Sequence, residues 1–173
     1  MEQLFEILKY ILPSLVVFFT VFYLIKLYLF GEEKKRIIQL KQDSRNLVTP
    51  IRLQAYERIA MYLERINPSN LVMRLNNSKL NVAQFQILLN SSIRSEFEHN
   101  LSQQIYISSE AWEAVKNAKE EVVKIINLAA GKLNANATSN ELASKIFEII
   151  VDYNILPTDS ALEVLKKEIR ILY

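Results

Sequence analysis

Cysteine is absent from this chain, and glycine occurs twice, histidine once and proline four times in 173 residues. Without thiols there are no disulfide frameworks, thiolate zinc sites or cysteine nucleophiles. That fits a reducing compartment. So few turn-formers argue against sandwiches, barrels and glycine-rich phosphate loops, and favour long helices. A lone histidine leaves no His-paired nucleophile constellation legible. A basic surplus is also missing where it would matter. Met1 to Asn46 holds seven Lys/Arg against five Asp/Glu, whereas Leu47 to Tyr173 holds fourteen of each. Nucleic-acid-binding domains draw most of their affinity from basic excess, so no nucleic-acid partner is expected.

What is present begins with Tyr10 to Phe30, YILPSLVVFFTVFYLIKLYLF. As a helix this run is about long enough to cross a hydrocarbon core of roughly 30 Å. The stretch before it is not basic, and no small-residue cleavage site follows Phe30, so retention as an anchor is favoured over a signal peptide. The Lys/Arg bias then sets orientation. Lys9 stands alone on the N-terminal side, against Lys34, Lys35, Arg36, Lys41 and Arg45 on the other. The N-terminus is expected outside and the rest of the chain in the cytoplasm. Lys26 falls near the cytoplasmic end of the run, where its ammonium can snorkel to the interface. With Lys34, Lys35 and Arg36 it forms the expected membrane interface, in contact with anionic head groups of the lipid bilayer. Ile37, Ile38 and Leu40 suggest that the helix continues as a stalk to about Asn46. The expected organisation is an anchor at 1–30, a basic juxtamembrane stalk at 31–48 and a cytoplasmic helical domain at 49–173. The last has about 125 residues, near the commonest domain size.

Within that domain, Thr49-Pro50 reads as a helix start, and Tyr56, Ile59, Leu63 and Ile66 share one face. Asn67-Pro68 ends that helix, and Ser69 caps a short one. Asn81 caps the next, with Val82, Phe85, Leu88, Leu89, Ile93, Phe97 and Leu101 at helical spacing. The segment IYIS reads as extended. Ser108 or Ser109 opens a long helix with Trp112, Val115, Val122, Ile125 and Ile126 inward. Thr138-x-x-Glu141 is a capping box, its helix carrying Leu142, Ile146, Ile150 and Tyr153. Pro157-Thr158 opens the last, with Leu162, Leu165, Ile169 and Leu172 inward. The expected fold class is all-α: the transmembrane helix and stalk, then a bundle of four long helices plus one or two short ones.

Two stretches carry a family resemblance: LQAYERIAMYLERINPSNLVMRL, from Leu53 to Leu75, and IRSEFEHNLSQQIYISSEAWEAVKNAKEEVVKIIN, from Ile93 to Asn127. With the N-terminal run, the chain resembles an uncharacterised family of small membrane-anchored proteins from Bacteroidota-type bacteria. The resemblance implies a bacterial inner-membrane protein with a cytoplasmic helical domain. It implies no activity, cofactor or catalytic residue.

Two clusters invite a functional reading. Glu96 and His99 have the Glu-x-x-His spacing of di-iron carboxylate bundles, because i and i+3 share a helix face. Such sites need a second motif, and one histidine leaves only a second copy to supply it. The plainer reading places Arg94, Glu96 and His99 in surface hydrogen bonds. Asn100, Ser102, Gln103, Gln104 and Tyr106 form a polar run that either meets a partner or satisfies the turn before Ser108. Together, Arg94, Glu96, His99, Asn100, Gln103 and Gln104 are the candidate polar interaction site. The expectation is a non-enzymatic, membrane-tethered interaction or scaffold module without a cofactor. Its partner is an unidentified protein or a second copy in a homodimer. The alternative is a membrane-bound metal-dependent enzyme using Glu96 and His99.

Overall fold

The computed structural model describes the backbone of residues 2–134 and 136–172, with the side chains in that range except 2–14, 31, 33, 34, 37, 38, 40–47 and 172. Six α-helices run in order: α1 Glu2–Ile66, α2 Pro68–Leu75, α3 Val82–Asn100, α4 Ser109–Gly131, α5 Ser139–Val151 and α6 Pro157–Leu172, with a 3-10 turn Leu101–Ile105 between α3 and α4. The fold is all-α among the described residues. Its internal contacts divide the chain into two compact units, Met1–Thr49 and Pro50–Tyr173.

In the first unit every described side chain from Leu15 to Phe30 is exposed. Phe18 stacks on Phe22 at 6.4 Å and meets Phe19 edge-on at 5.7 Å. Thr20 returns its hydroxyl to the Val16 carbonyl, so its polar group stays within the helix. Lys35 lies 3.8 Å from Glu32, and Arg36 is exposed. Among the described residues no helix is long and apolar enough to cross a membrane. The described part of the apolar run, Leu15–Phe30, is sixteen residues, short of the roughly 20 a spanning helix needs. The transmembrane helix therefore stands as a reading of the longer sequence run. Lys34, Ile37, Ile38, Leu40, Lys41 and Arg45, which entered the stalk reading, have side chains outside the described residues.

One expected boundary is corrected. Thr49-Pro50 does not start a helix, because α1 runs through both residues. Proline fixes φ near the helical value and removes only one donor. An interior position costs about 3 kcal/mol, which the hydrogen-bonded turns on either side can absorb.

The second unit holds the core. Its first segment buries Tyr56, Ile59, Leu63 and Ile66. Asn67 does not merely end α1: its side chain accepts from Ser69 N at 3.1 Å, so Asn67 rather than Ser69 caps α2, with Pro68 in the first position. Its amide then donates to the buried Thr158 hydroxyl of α6 at 3.2 Å. The remaining caps follow local sequence. Asn81 and Gln84 form a capping box on α3, Ser108 caps α4, and Thr138 and Glu141 form a capping box on α5. The two boxed helices start side by side. Asn81 and Thr138 pair as an isolated antiparallel bridge, through Val82 N to Ala137 O at 2.9 Å and Ser139 N to Leu80 O at 3.1 Å.

α4 is the central helix, packed against α3, α5 and α6. It buries Trp112, Val115, Ala118, Val122, Ile125, Ile126 and Ala129, the larger of them contributing roughly 1.5–3 kcal/mol each on removal from water. Pro50–Ile66, α3, α4, α5 and α6 make five longer helical segments, one more than the expected four, with α2 and the 3-10 turn as the short ones. Three expected core positions are exposed instead. Leu88 lies next to Leu89, and about 100° of rotation per residue lets only one of them face inward. Leu101 belongs to the 3-10 turn, which rotates it off the α3 face, and Tyr153 follows the end of α5. Of the segment IYIS, expected to be extended, Ile105 ends the 3-10 turn and Tyr106 closes it through its N–H to Gln103 O at 3.0 Å, whereas Ser108 is extended.

Candidate functional site

The candidate polar site falls where α3 passes α1 and α2. Glu96 does not stand ready for a metal. Its carboxylate lies 2.8 Å from the Arg65 guanidinium and 3.9 Å from that of Arg74. Among the described residues no group of three or more His, Asp or Glu side chains is placed to hold a metal ion. Within one chain the described residues supply no ligand set for the di-iron-like alternative, and two arginines engage the carboxylate that would begin it. His99 lines a cleft of about 180 Å³ with Arg58, Tyr62, Arg65, Glu96 and Asn100. Arg94 and Gln104 are exposed.

The polar run divides by burial. Asn100 is buried and donates to the Glu96 carbonyl at 2.8 Å, where α3 tightens into the 3-10 turn. Gln103 is buried and donates to the Ser102 hydroxyl at 3.2 Å. The Tyr106 carbonyl accepts from Arg52 Nε at 3.1 Å. These bonds satisfy turn backbone and side chains that burial would otherwise leave unpaired. Trp112 stacks on Phe97 at 5.4 Å, Phe97 meets Tyr62 at 6.0 Å, and the Lys119 ammonium sits 4.4 Å from the Phe97 ring centre. The Tyr62 hydroxyl is buried without a hydrogen-bond partner. Burial pushes its pKa up, and the nearby charges of Glu96 and Glu120 push it the same way.

A second polar centre escaped sequence reasoning. Glu168 of α6 accepts from the Tyr56 hydroxyl at 2.5 Å, from Ser108 N at 3.1 Å and from the Ser108 hydroxyl at 2.8 Å. Ser108 Oγ in turn accepts from Ala111 N at 3.0 Å. A carboxylate thus sits at the start of α4, where the helix dipole favours negative charge. Burial, then the hydrogen bond to Glu168, pushes the Tyr56 hydroxyl up to about 12. The only local signal was Ser108 as a cap. The partners come from 60 and 112 residues away.

Both centres join helices. Glu96 of α3 meets Arg65 of α1 and Arg74 of α2. Glu168 of α6 meets Tyr56 of α1 and Ser108 at the start of α4, with Glu168 and Ser108 lining a cavity of about 400 Å³. Residues 2–172 match a family of unknown function, DUF7935. The chain belongs to that family. The match embraces both units, so the apolar run and the helical bundle are parts of one DUF7935 chain. No curated protein matches it, and no solved structure does.

Proposed function

We propose that this protein is a non-enzymatic interaction module tethered to the inner membrane of a bacterium of Bacteroidota type. Its N-terminus lies outside, and its helical unit binds a protein partner at the cytoplasmic face. One observation carries the reading. From Leu15 to Phe30 every described side chain is exposed, and apart from Thr20 and Lys26 the residues are apolar or aromatic all round the helix. A helix apolar on every side is covered by protein or by lipid. The run extends back to Tyr10 in the sequence, which brings it to spanning length. Lys35 and Arg36 follow it, both exposed, and basic residues beside an anionic leaflet contribute about 1 kcal/mol each.

The interaction role is supported by the site chemistry. Glu96 is engaged by Arg65, Asn100 and Gln103 close a turn, and Glu168 holds two helices together. The charge-balanced unit has no basic surplus for nucleic acid. Its open groove, about 540 Å³ and lined by Ile51, Gln54, Arg58, Met61, Gln103 and Tyr106, has the mixed apolar and polar character of a protein-binding surface.

The test is fractionation of cells making the full chain. The protein is expected in the membrane pellet after an alkaline carbonate wash. Val17→Lys with Phe22→Lys, placing two charges in the run, is expected to release it. Recovery of wild-type protein in the wash would end the tethered reading. Stoichiometric iron or manganese in the purified chain would end the non-enzymatic one.

A further inference from the structure

The groove has a repeat running through it. Ile51, Gln54, Arg58 and Met61 are all exposed on α1, with Ile51 at 47% and Met61 at 56% of full exposure. The opposite face of the same segment is spent on the core through Tyr56, Ile59 and Leu63. The exposed four are spaced three, four and three residues apart. The same alternation reads back through the sequence to Leu47, Ser44, Leu40 and Ile37. That is a/d spacing, which the buried face of the same segment also shows at Tyr56, Ile59, Leu63 and Ile66, so it suits a seam where one helix packs along another.

We infer that the occupant of this seam is α1 of a second copy, paired in parallel and in register. The inference rests on the tethered reading above and names one partner for it. Two observations favour a second copy over another helix. The charges are self-complementary. Glu57 immediately precedes Arg58 and both are exposed. In a parallel pair the residue before a seam position lies beside that seam position on the other helix. Glu57 of each copy therefore meets Arg58 of the other, neutralising two arginines that would otherwise face one another. Finally, a shared anchor direction presents neighbouring copies to each other in parallel. Gln54 and Arg58 are polar members of the seam, a composition that lowers stability and fixes register.

The absence of cysteine makes the test direct. Single cysteines are placed in the full chain in native membranes, at Gln54→Cys and Met61→Cys on the seam, and at Ile87→Cys and Leu128→Cys on exposed positions elsewhere. A disulfide needs Cα atoms within about 7 Å, which identical seam positions meet only in an in-register parallel pair. Mild oxidation is expected to convert most of the two seam variants to a species of twice the mass, with at least about tenfold less at the two control positions. Adding Arg58→Glu to Met61→Cys is expected to lower the dimer about tenfold, and adding Glu57→Arg as well is expected to restore it. The inference is overturned if both seam variants stay monomeric while circular dichroism shows wild-type helicity. It is overturned equally if control positions cross-link as well as seam positions, or if the adduct has another protein's mass. Carbonate extraction of the same samples separates the two failures, since loss of the seam leaves the chain in the membrane pellet and loss of the tether does not.

Discussion

The Tyr56 hydroxyl donates to Oε1 of Glu168 at 2.5 Å across 112 residues of sequence. Through the other oxygen of that carboxylate and through Ser108, the same contact reaches the first turn of α4. One side chain on α6 thus ties the Pro50–Ile66 segment to the cap of the central helix.

Removing that side chain should expose its worth. Glu168→Ala leaves the Tyr56 hydroxyl and the Ser108 amide without their acceptor, and unpaired buried groups cost about 1–3 kcal/mol. Tyr56→Phe leaves Glu168 bonded to Ser108 and should cost about 0.5–1.5 kcal/mol. Chemical denaturation of both single variants and the double variant gives the coupling. A pair in contact is expected to couple by at least about 0.5 kcal/mol. Additive effects would mean that the bond contributes nothing.

Alkaline stability should report the same bond. The Tyr56 hydroxyl is raised from 10.0 to about 12. Between those values an unfolded tyrosine loses its proton while the folded one keeps it. The unfolded state then binds fewer protons, so stability falls as pH rises through that window. Below it, the contribution is fully present. Tyr62 shifts in the same direction, so Tyr56→Phe should flatten the alkaline decline without abolishing it. Melting temperatures at pH 9 to 12 measure the difference.

The core assignment is tested by contrast. Ile126 is fully buried on α4, whereas Ile87 is 68% exposed on α3. Ile126→Ala should cost about 2–5 kcal/mol, and Ile87→Ala should stay within about 0.5 kcal/mol. Equal effects would mean that the inward faces are misassigned.

What was legible in the sequence was local. Asn81 read as a cap and Thr138 with Glu141 read as a box, and both form, Asn81 as half of a second box with Gln84. The apolar stripe of α4 needs only helical periodicity, and it is buried as that period predicts. What escaped was non-local or ambiguous. Glu168 and Arg65 look like any surface charge until the fold brings Tyr56 and Glu96 to them. Thr49-Pro50 carries the same dihedral preference at a helix start and inside a helix, so only the full backbone distinguishes them. Glu96-x-x-His99 had the right spacing for a metal, but spacing could not show that two arginines already hold the carboxylate.

We propose that the helical unit is held at the cytoplasmic side of a membrane by the run ending at Phe30. The most direct measurement is a pair of reporters fused after Tyr173 of the full chain, one active only outside the membrane and one active only in the cytoplasm. The charge bias around the run predicts a silent outer reporter and an active cytoplasmic one, both in the membrane fraction. Strong outer activity would reverse the topology, and cytoplasmic activity in the supernatant alone would contradict the tether itself.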